Sequence, residues 1–383
     1  MSVVSNGFVR GVAFLTDGSS HSQLLTFDIF GHSLSFMPLL VILLAAVILI
    51  GIRGLVGLER FHGPADSIYA AHRTDNELDV KRGLASTFSA FISASGGASV
   101  GQYGPLVHFG ATIGSYLKQV TRSTLTTDIF IGCGVAGAIA AGFNAPIAGI
   151  LFAHEAVIRH FSLRAVTPIA ISSLVASSFS QYIFGDFQAF EVALIPPDLL
   201  SVVPLALLLG PVFGLTAVIL MMSIRKSTQW GVKSGLGYKK LTLLAAFICG
   251  SVGIFVPEIL GLGGDTVQNI LSGSFDGSYL LILLIAKILM SAVCLGLGMF
   301  GGVFSPALFI GAAAGGLAGM AVSGLVSGDV VLALIVAGMG AVCAPVIGAP
   351  ITVVVIILEM TMSYELALFT LGSVVTSALT ASM

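Results

Sequence analysis

The sequence predicts an all-α, polytopic membrane protein. Of its 383 residues, 56% are hydrophobic and only 9% are charged, with a mean hydropathy of +1.05. Soluble domains carry about 25% charged residues. Apolar runs of the length that crosses a bilayer, about 17–25 residues, recur from Leu34 to the C-terminus and leave room for about ten spans. These runs are continuous rather than alternating, which argues against a membrane β-barrel.

Charge and cysteine usage exclude several other classes of protein. The net charge is −2, without a polybasic or polyacidic run, so no nucleic-acid partner is predicted. The four cysteines lie inside apolar runs and lack the spacing of a zinc site, so neither a metal nor another cofactor is predicted. Residues 1–33 are mixed in polarity and do not read as a signal peptide. We therefore expect an integral membrane protein with several spans, in a cell inner or plasma membrane.

Charged loops predict the orientation of the spans. The polar stretches 73–82, 159–164 and 225–240 carry Arg and Lys, which are enriched in cytoplasmic loops. The segments 185–198 and 263–276 carry acids but no Lys or Arg, so they are expected outside.

Two polar breaks interrupt the apolar runs. Long runs at 34–52, 199–224 and 277–299 predict ordinary spanning helices. By contrast, 93–105 and 296–306 are rich in Gly and Ser, and each ends in a Pro that favours the first turn of a new helix. Backbone groups freed by such breaks must be covered by protein or must line a wet cavity.

The breaks belong to an internal repeat. They lie 201 residues apart, and Asn144–Glu155 resembles Gly348–Glu359 at a displacement of 204. Matching broken helices in two halves are typical of inverted-repeat transporters and channels with a site near the membrane midplane. The predicted organisation is an N-terminal segment 1–33, a first half 34–185, an external linker 186–198 and a second half 199–383.

The breaks also predict the chemistry of the site. A helix that begins inside the membrane exposes unpaired N–H groups and the positive end of its dipole, which together bind an anion without a cationic side chain. A cation would instead require carbonyl rings or acids. The predicted anion-binding residues at the two helix starts are Gln102, Tyr103, Gly104, Val303, Phe304 and Ser305. Lys287 lies deep in a long apolar run and is predicted to add positive potential.

Several motifs, in the same order, resemble the CLC family of chloride channels and chloride/proton antiporters. They are Gly302-Val303-Phe304-Ser305-Pro306, the segment 141–152, Glu191-Val-Ala-Leu-Ile195 and Leu-Glu-Met-Thr at 358–361. The resemblance implies a small inorganic anion, with chloride expected, and a homodimer with one anion pathway per subunit. It also places His62 and Gly63 at a family motif whose serine hydroxyl touches the anion.

Departures from the family pattern favour passive transport. The family's gating glutamate falls on Tyr103 and its inner proton-relaying glutamate on Ala156. Neither side chain replaces a carboxylate as a proton shuttle at neutral pH. The sequence therefore predicts channel-like or uncoupled anion conduction, with Tyr103 as the gate.

Two alternatives stay open. A proton-coupled antiporter would have to use His62, His108 or Glu155, although a structural hydrogen bond is favoured for His108 and a structural capping or pairing role for Glu155 and its repeat equivalent Glu359. An intramembrane serine protease would use Ser99, within a Gly-x-Ser-x-Gly pattern, together with His108. No strand precedes that pattern and proteolysis leaves the repeat unexplained, so an enzyme is not the predicted function.

Overall fold

The computed structural model describes residues 26–29, 32–73, 78–121, 123–185, 190, 202–324 and 330–383. Within these ranges the chain is helical except for one antiparallel hairpin of β1 (Thr26–Ile29) and β2 (His32–Ser35), in which Thr26 pairs with Ser35. The predicted all-α class is confirmed, and the short hairpin before the first helix was not predicted. Most of the N-terminal segment 1–33 and of the linker 186–198, including the Glu191–Ile195 motif, lies outside the described residues.

Seven helices form the first half of the chain. They are α1 (Met37–Val56), α2 (Pro64–Ala71), α3 (Val80–Ser95), α4 (Tyr103–Val120), α5 (Thr127–Phe143), α6 (Pro146–Phe152), which continues into a π-helical turn (Ala153–Ile158), and α7 (Leu163–Phe184).

Eight helices follow in the second half. They are α8 (Val203–Lys233), α9 (Tyr238–Phe255), α10 (Gly264–Leu271), α11 (Gly277–Leu297), α12 (Phe304–Val322), α13 (Val331–Ile347), α14 (Pro350–Thr361) and α15 (Tyr364–Ser382), with a 3₁₀ turn (Pro257–Ile259) after α9. Helices α9 to α15 repeat α1 to α7 about 200 residues later, and α8 precedes the second set.

Among the described helices, seven are long and apolar enough to cross a membrane: α1, α7, α8, α9, α11, α12 and α15. The sequence left room for about ten spans. Several of the remaining apolar runs form helices of 10–17 residues instead, including α5, α13 and α14, because Gly and Pro divide them. The protein is thus a multi-pass integral membrane protein in which long spanning helices and shorter apolar helices are interspersed.

Paired glycines allow close packing in each half. A Cβ atom added to Gly110 of α4 would clash with the backbone of Gly134 in α5, and one added to Gly311 of α12 would clash with the backbone of Gly338 in α13. Small residues at such crossings let helix backbones approach closely in membranes, where packing rather than hydrophobic transfer holds helices together. The same contact therefore recurs at equivalent positions of the repeat.

Two glutamates cap helices across the repeat: Glu155 of the first half caps a helix of the second half, and Glu359 of the second half caps a helix of the first. Glu155 accepts hydrogen bonds from the main-chain N–H groups of Ile351 (3.0 Å) and Thr352 (2.7 Å) at the start of α14. Glu359 accepts the equivalent bonds from Ile147 (2.9 Å) and Ala148 (2.7 Å) at the start of α6. The carboxylates satisfy helix N-terminal donors and favour the positive dipole end. The predicted structural role of both residues is confirmed.

Loss of one of these caps is expected to destabilise the fold. Glu155→Ala leaves two main-chain donors and the Thr352 hydroxyl without their acceptor, at a cost of about 1–3 kcal/mol. Thermal unfolding in detergent should show a lower Tm than for Glu59→Ala, which removes the same charge from an exposed position. Equal Tm values for the two variants would contradict the capping role.

Candidate functional site

The two breaks meet at the centre of the protein. Gly101 and Gly302 form an isolated antiparallel bridge, in which each N–H donates to the other's carbonyl oxygen at N···O distances of 2.7 and 2.5 Å. Helices α4 and α12 begin immediately after this bridge, at Tyr103 and Phe304. The expectation that the breaks lie opposite each other across the repeat is confirmed.

Glycine is required at this bridge because the two backbones are in contact. A Cβ atom on Gly101 would lie 3.0 Å from the carbonyl oxygen of Gly302 and from the Ser305 nitrogen. One on Gly302 would lie 2.8 Å from the Gly104 nitrogen. The main-chain nitrogens at the two helix starts are therefore neighbours in space, although they are 201 residues apart in sequence.

The helix starts present donors without charged side chains. The first N–H groups of a helix have no acceptor within it, and at α4 and α12 these belong to Gln102–Gly104 and Val303–Ser305. None of these six residues is ionised at neutral pH. Gln102 and Ser305 are 4% and 8% exposed, so the dipoles of both helices act in an environment with little water.

An aromatic cluster closes over the helix starts. The Tyr103 ring stacks on Phe143, with centroids 3.8 Å apart, and contacts Phe304 edge-on at 5.4 Å. Phe143 and Phe304 are 4.8 Å apart. Sequence reasoning missed Phe143, which ends α5 and lies far from both breaks in the chain. The signal that could have found it was its place in the segment 141–152, which resembles the family.

The start of α2 lies beside the start of α4. A Cβ atom on Gly104 would lie 3.3 Å from Pro64 Cγ, and the ring of Phe61 stacks on Phe300 at 4.9 Å. His62 and Gly63 are thus brought next to the bridge between the two halves.

The main-chain donors of His62 and Gly63 are already used. His62 N–H donates to Ser86 Oγ (2.9 Å), and Gly63 N–H donates to Asp66 Oδ2 (2.8 Å). Asp66 also forms an ion pair with Arg60. Burial opposes ionisation of Asp66, but the bonds from Arg60 and Gly63 outweigh it, so the pKa of Asp66 lies below its ordinary value. Of these two predicted anion contacts, only the His62 ring retains free donor capacity.

His108 and Ser99 have separate partners. The His108 ring is buried, and its Nδ1 lies 2.7 Å from Ser67 Oγ, which confirms the structural hydrogen bond expected for it. Its ring centroid is 6.2 Å from that of His62. Ser99 Oγ is buried 3.1 Å from Ser291 Oγ. Ser99 and His108 therefore do not form the nucleophile and base pair that a serine protease requires.

Lys287 is fully enclosed by protein. Its ammonium donates to the carbonyl oxygens of Ile259 (2.8 Å) and Gly261 (3.1 Å) and lies 4.9 Å from the Phe309 ring centroid. Gly261 in turn donates its N–H to Gly97 O (3.0 Å), within the break that precedes α4. The Lys287 ammonium is therefore held close to this break by carbonyl dipoles.

Comparison with known proteins identifies the family. Residues 41–382 match the family model described as voltage gated chloride channel, which covers nearly all of the described chain. The chain belongs to this family. Among curated members, a ClcB-like protein of Ralstonia nicotianae is 30% identical over 83% of this chain and 76% of its own length. The H⁺/Cl⁻ exchange transporter ClcA of Vibrio cholerae is 32% identical over 73% of this chain and 62% of its own. The chain thus spans about three fifths of the ClcA relatives.

Solved structures of this family share the fold. A slow cyanobacterial Cl⁻/H⁺ antiporter superposes with a TM-score of 0.79 at 22% identity, over 100% of this chain and 91% of the other. A CLC-type fluoride/proton antiporter superposes with a TM-score of 0.77 at 19% identity, over 100% of this chain and 92% of the other. At these identities the similarity establishes the shared architecture.

Proposed function

We propose that the protein carries a small inorganic anion, with chloride expected, across a bacterial-type inner or plasma membrane. The observation that carries this proposal is the Gly101–Gly302 bridge, because it brings the N-termini of α4 and α12 together in a buried place without an ionised side chain. Main-chain N–H groups and two helix dipoles then replace part of the anion's hydration shell. Tyr103, which stacks on Phe143 and contacts Phe304 edge-on, is the proposed gate.

The first candidate mechanism is conduction without proton coupling. No carboxylate belongs to the two helix starts, and Tyr103 and Ala156 stand at the two positions where the resemblance would place proton-handling glutamates. Ala156 is buried in the π-helical turn. A neutral phenol and a methyl group offer no site that gains and loses a proton near neutral pH.

The second candidate is proton-coupled anion exchange, and the relatives favour it. Several are named H⁺/Cl⁻ exchange transporters, and two of the similar structures are proton antiporters. In this chain His62 and His108, with ring centroids 6.2 Å apart beside the start of α4, are the titratable groups that we propose could replace the missing carboxylates. Glu155 is engaged in capping α14, which speaks against a role as a mobile proton carrier.

A flux measurement with the purified protein in liposomes distinguishes the two mechanisms. Under an outward chloride gradient, bulk chloride should leave only after an ionophore carries a compensating cation across the membrane, and the internal pH, read with a trapped dye, should stay constant throughout. The protein should not drive protons against their gradient. Uphill proton movement that stops in His62→Ala, but not in the exposed control His72→Ala, would establish exchange instead.

We further propose that two copies associate through one apolar face. The starts of α6 and α14 and the outer sides of α7 and α15 expose large apolar side chains in both halves: Ile147, Leu174, Ile351, Leu371, Val375 and Leu379. Ile147 and Leu174 of the first half correspond in the repeat to Ile351 and Val375 of the second. A two-fold interface uses the same surface on both subunits.

A further inference from the structure

The two breaks are held in place by different kinds of contact. In the first break, the Gly97 carbonyl accepts from the Gly261 N–H (3.0 Å), and the Ser99 hydroxyl is hydrogen-bonded to that of Ser291 (3.1 Å). Both serines are fully buried. Hydrogen bonds from the second half therefore anchor the first break.

An aromatic contact stands at the equivalent place in the second break. The displacement of 201 residues pairs Ser99 with Phe300, whose ring stacks on that of Phe61, with centroids 4.9 Å apart and an interplanar angle of 24°. Counterparts in an inverted repeat lie on opposite sides of the membrane midplane. The Phe61–Phe300 pair therefore flanks the central bridge on the side opposite Ser99.

The pair lies next to the main-chain donors at the helix starts. Phe300 precedes Gly302 of the bridge by two residues, and the donors Val303–Ser305 follow directly. A Cβ atom on Gly63 would lie 3.8 Å from Phe300 Cζ, so the Phe300 ring also contacts the N-cap of α2. An anion that leaves the donors on this side therefore passes the two rings.

Basic side chains mark the same side of the protein. The Arg53 guanidinium lies 5.9 Å from the Phe61 ring centroid and 4.2 Å from that of Tyr238. Lys239 and Lys240 follow Tyr238 in α9. Their Arg and Lys predict that these segments are cytoplasmic. A guanidinium at the edge of the aromatic pair attracts anions to it.

We infer that Phe61 and Phe300 form an apolar constriction on the predicted cytoplasmic side of the anion site, which favours weakly hydrated anions over chloride. Apolar constrictions oppose the passage of hydrated ions because they exclude water. The two rings supply no hydrogen-bond donor, and the negative face of an aromatic ring repels an anion. Chloride must therefore shed water at the rings, whereas thiocyanate, a linear anion of similar width, holds water weakly and loses less. The inference rests on the proposed anion transport and adds the residues that set its specificity.

Parallel flux measurements with two anions test this inference. The purified full chain and its variants are reconstituted in liposomes loaded with potassium chloride or potassium thiocyanate. Efflux is started with a potassium ionophore, and the rate in protein-free vesicles is subtracted. The readout is the ratio of the chloride rate to the thiocyanate rate, because a merely structural role would change both rates together.

Phe61→Ala and Phe300→Ala are each expected to raise this ratio about three- to ten-fold, the gain from one regained hydrogen bond at the barrier. The double variant should match the larger single effect, since either loss breaks the pair. Phe61→Tyr keeps the ring and adds a hydroxyl, so it should raise the ratio even if the alanine variants unfold. Phe61→Leu, which keeps the constriction apolar, should retain the parental ratio. So should Phe88→Ala, a control on α3 whose side chain is 62% exposed.

Three outcomes would contradict the constriction. Parental ratios in the folded alanine and tyrosine variants would overturn this inference while leaving anion transport in place. A double variant whose ratio equals the product of the single effects would also overturn it, because the rings would then act separately. A parent protein that carries neither anion would overturn the proposed function, and this inference with it.

Discussion

Replacement of Tyr103 by glutamate is expected to stop most anion flux at neutral pH and to restore it in acid. The carboxylate would stand at the start of α4, facing the N-termini of two helices. Attracted by both dipoles, it would occupy the anion's position and compete with it. Protonation removes its charge, so flux should rise as pH falls. Chloride efflux from liposomes, measured from mildly acidic to neutral pH, reports this directly.

Two matched variants separate charge from size. Tyr103→Ala removes the ring that stacks on Phe143 without adding charge, so flux should be unchanged or higher and nearly independent of pH. Tyr103→Phe keeps the ring and should conduct like the parent. If Tyr103→Glu also conducts like the parent across this pH range, Tyr103 does not line the pathway.

Gly302→Ala is expected to reduce anion flux about ten-fold or more, which corresponds to about 1.4 kcal/mol. The added methyl group would lie 2.8 Å from the Gly104 nitrogen. It would force apart the backbones that form the Gly101–Gly302 bridge. It would also place a methyl group beside the main-chain N–H groups that the anion is proposed to contact. The loss should appear in the rate of chloride efflux per reconstituted protein.

The control for this variant is Gly51→Ala, since a Cβ atom on Gly51 of α1 meets nothing within 4 Å. It should keep parental flux. Tm values for both variants show whether the protein remains folded. Parental flux in a folded Gly302→Ala protein would mean that the bridge does not border the anion pathway.

Much of the fold could be predicted because its signals are local. Apolar runs predicted α1 and α11 nearly to their ends, whereas α8 continues nine residues beyond its predicted run, to Lys233. The prolines at 105 and 306 marked the first turns of α4 and α12. The repeat displacement of about 200 residues predicted that the two breaks are equivalent and face each other. The Gly101–Gly302 bridge agrees with that prediction.

Other features depend on contacts between distant segments, which composition and spacing do not reveal. Phe143 reaches Tyr103 only because α5 returns to the start of α4. The Gly63 amide donates to Asp66, three residues away, and this partner was not predicted from the sequence. Structural roles were expected for Glu155 and Glu359, but the main-chain donors that each of them caps could not be predicted from the sequence.

The most direct test of the central claim is the anomalous diffraction of crystals grown with bromide. The proposed site predicts a bromide peak within hydrogen-bonding distance of main-chain nitrogens among Gln102–Gly104 and Val303–Ser305, next to the Tyr103 ring. The peak should disappear in Gly302→Ala crystals. A bromide bound at Lys287 or at another cation, with none at the two helix starts, would contradict the amide-lined pathway.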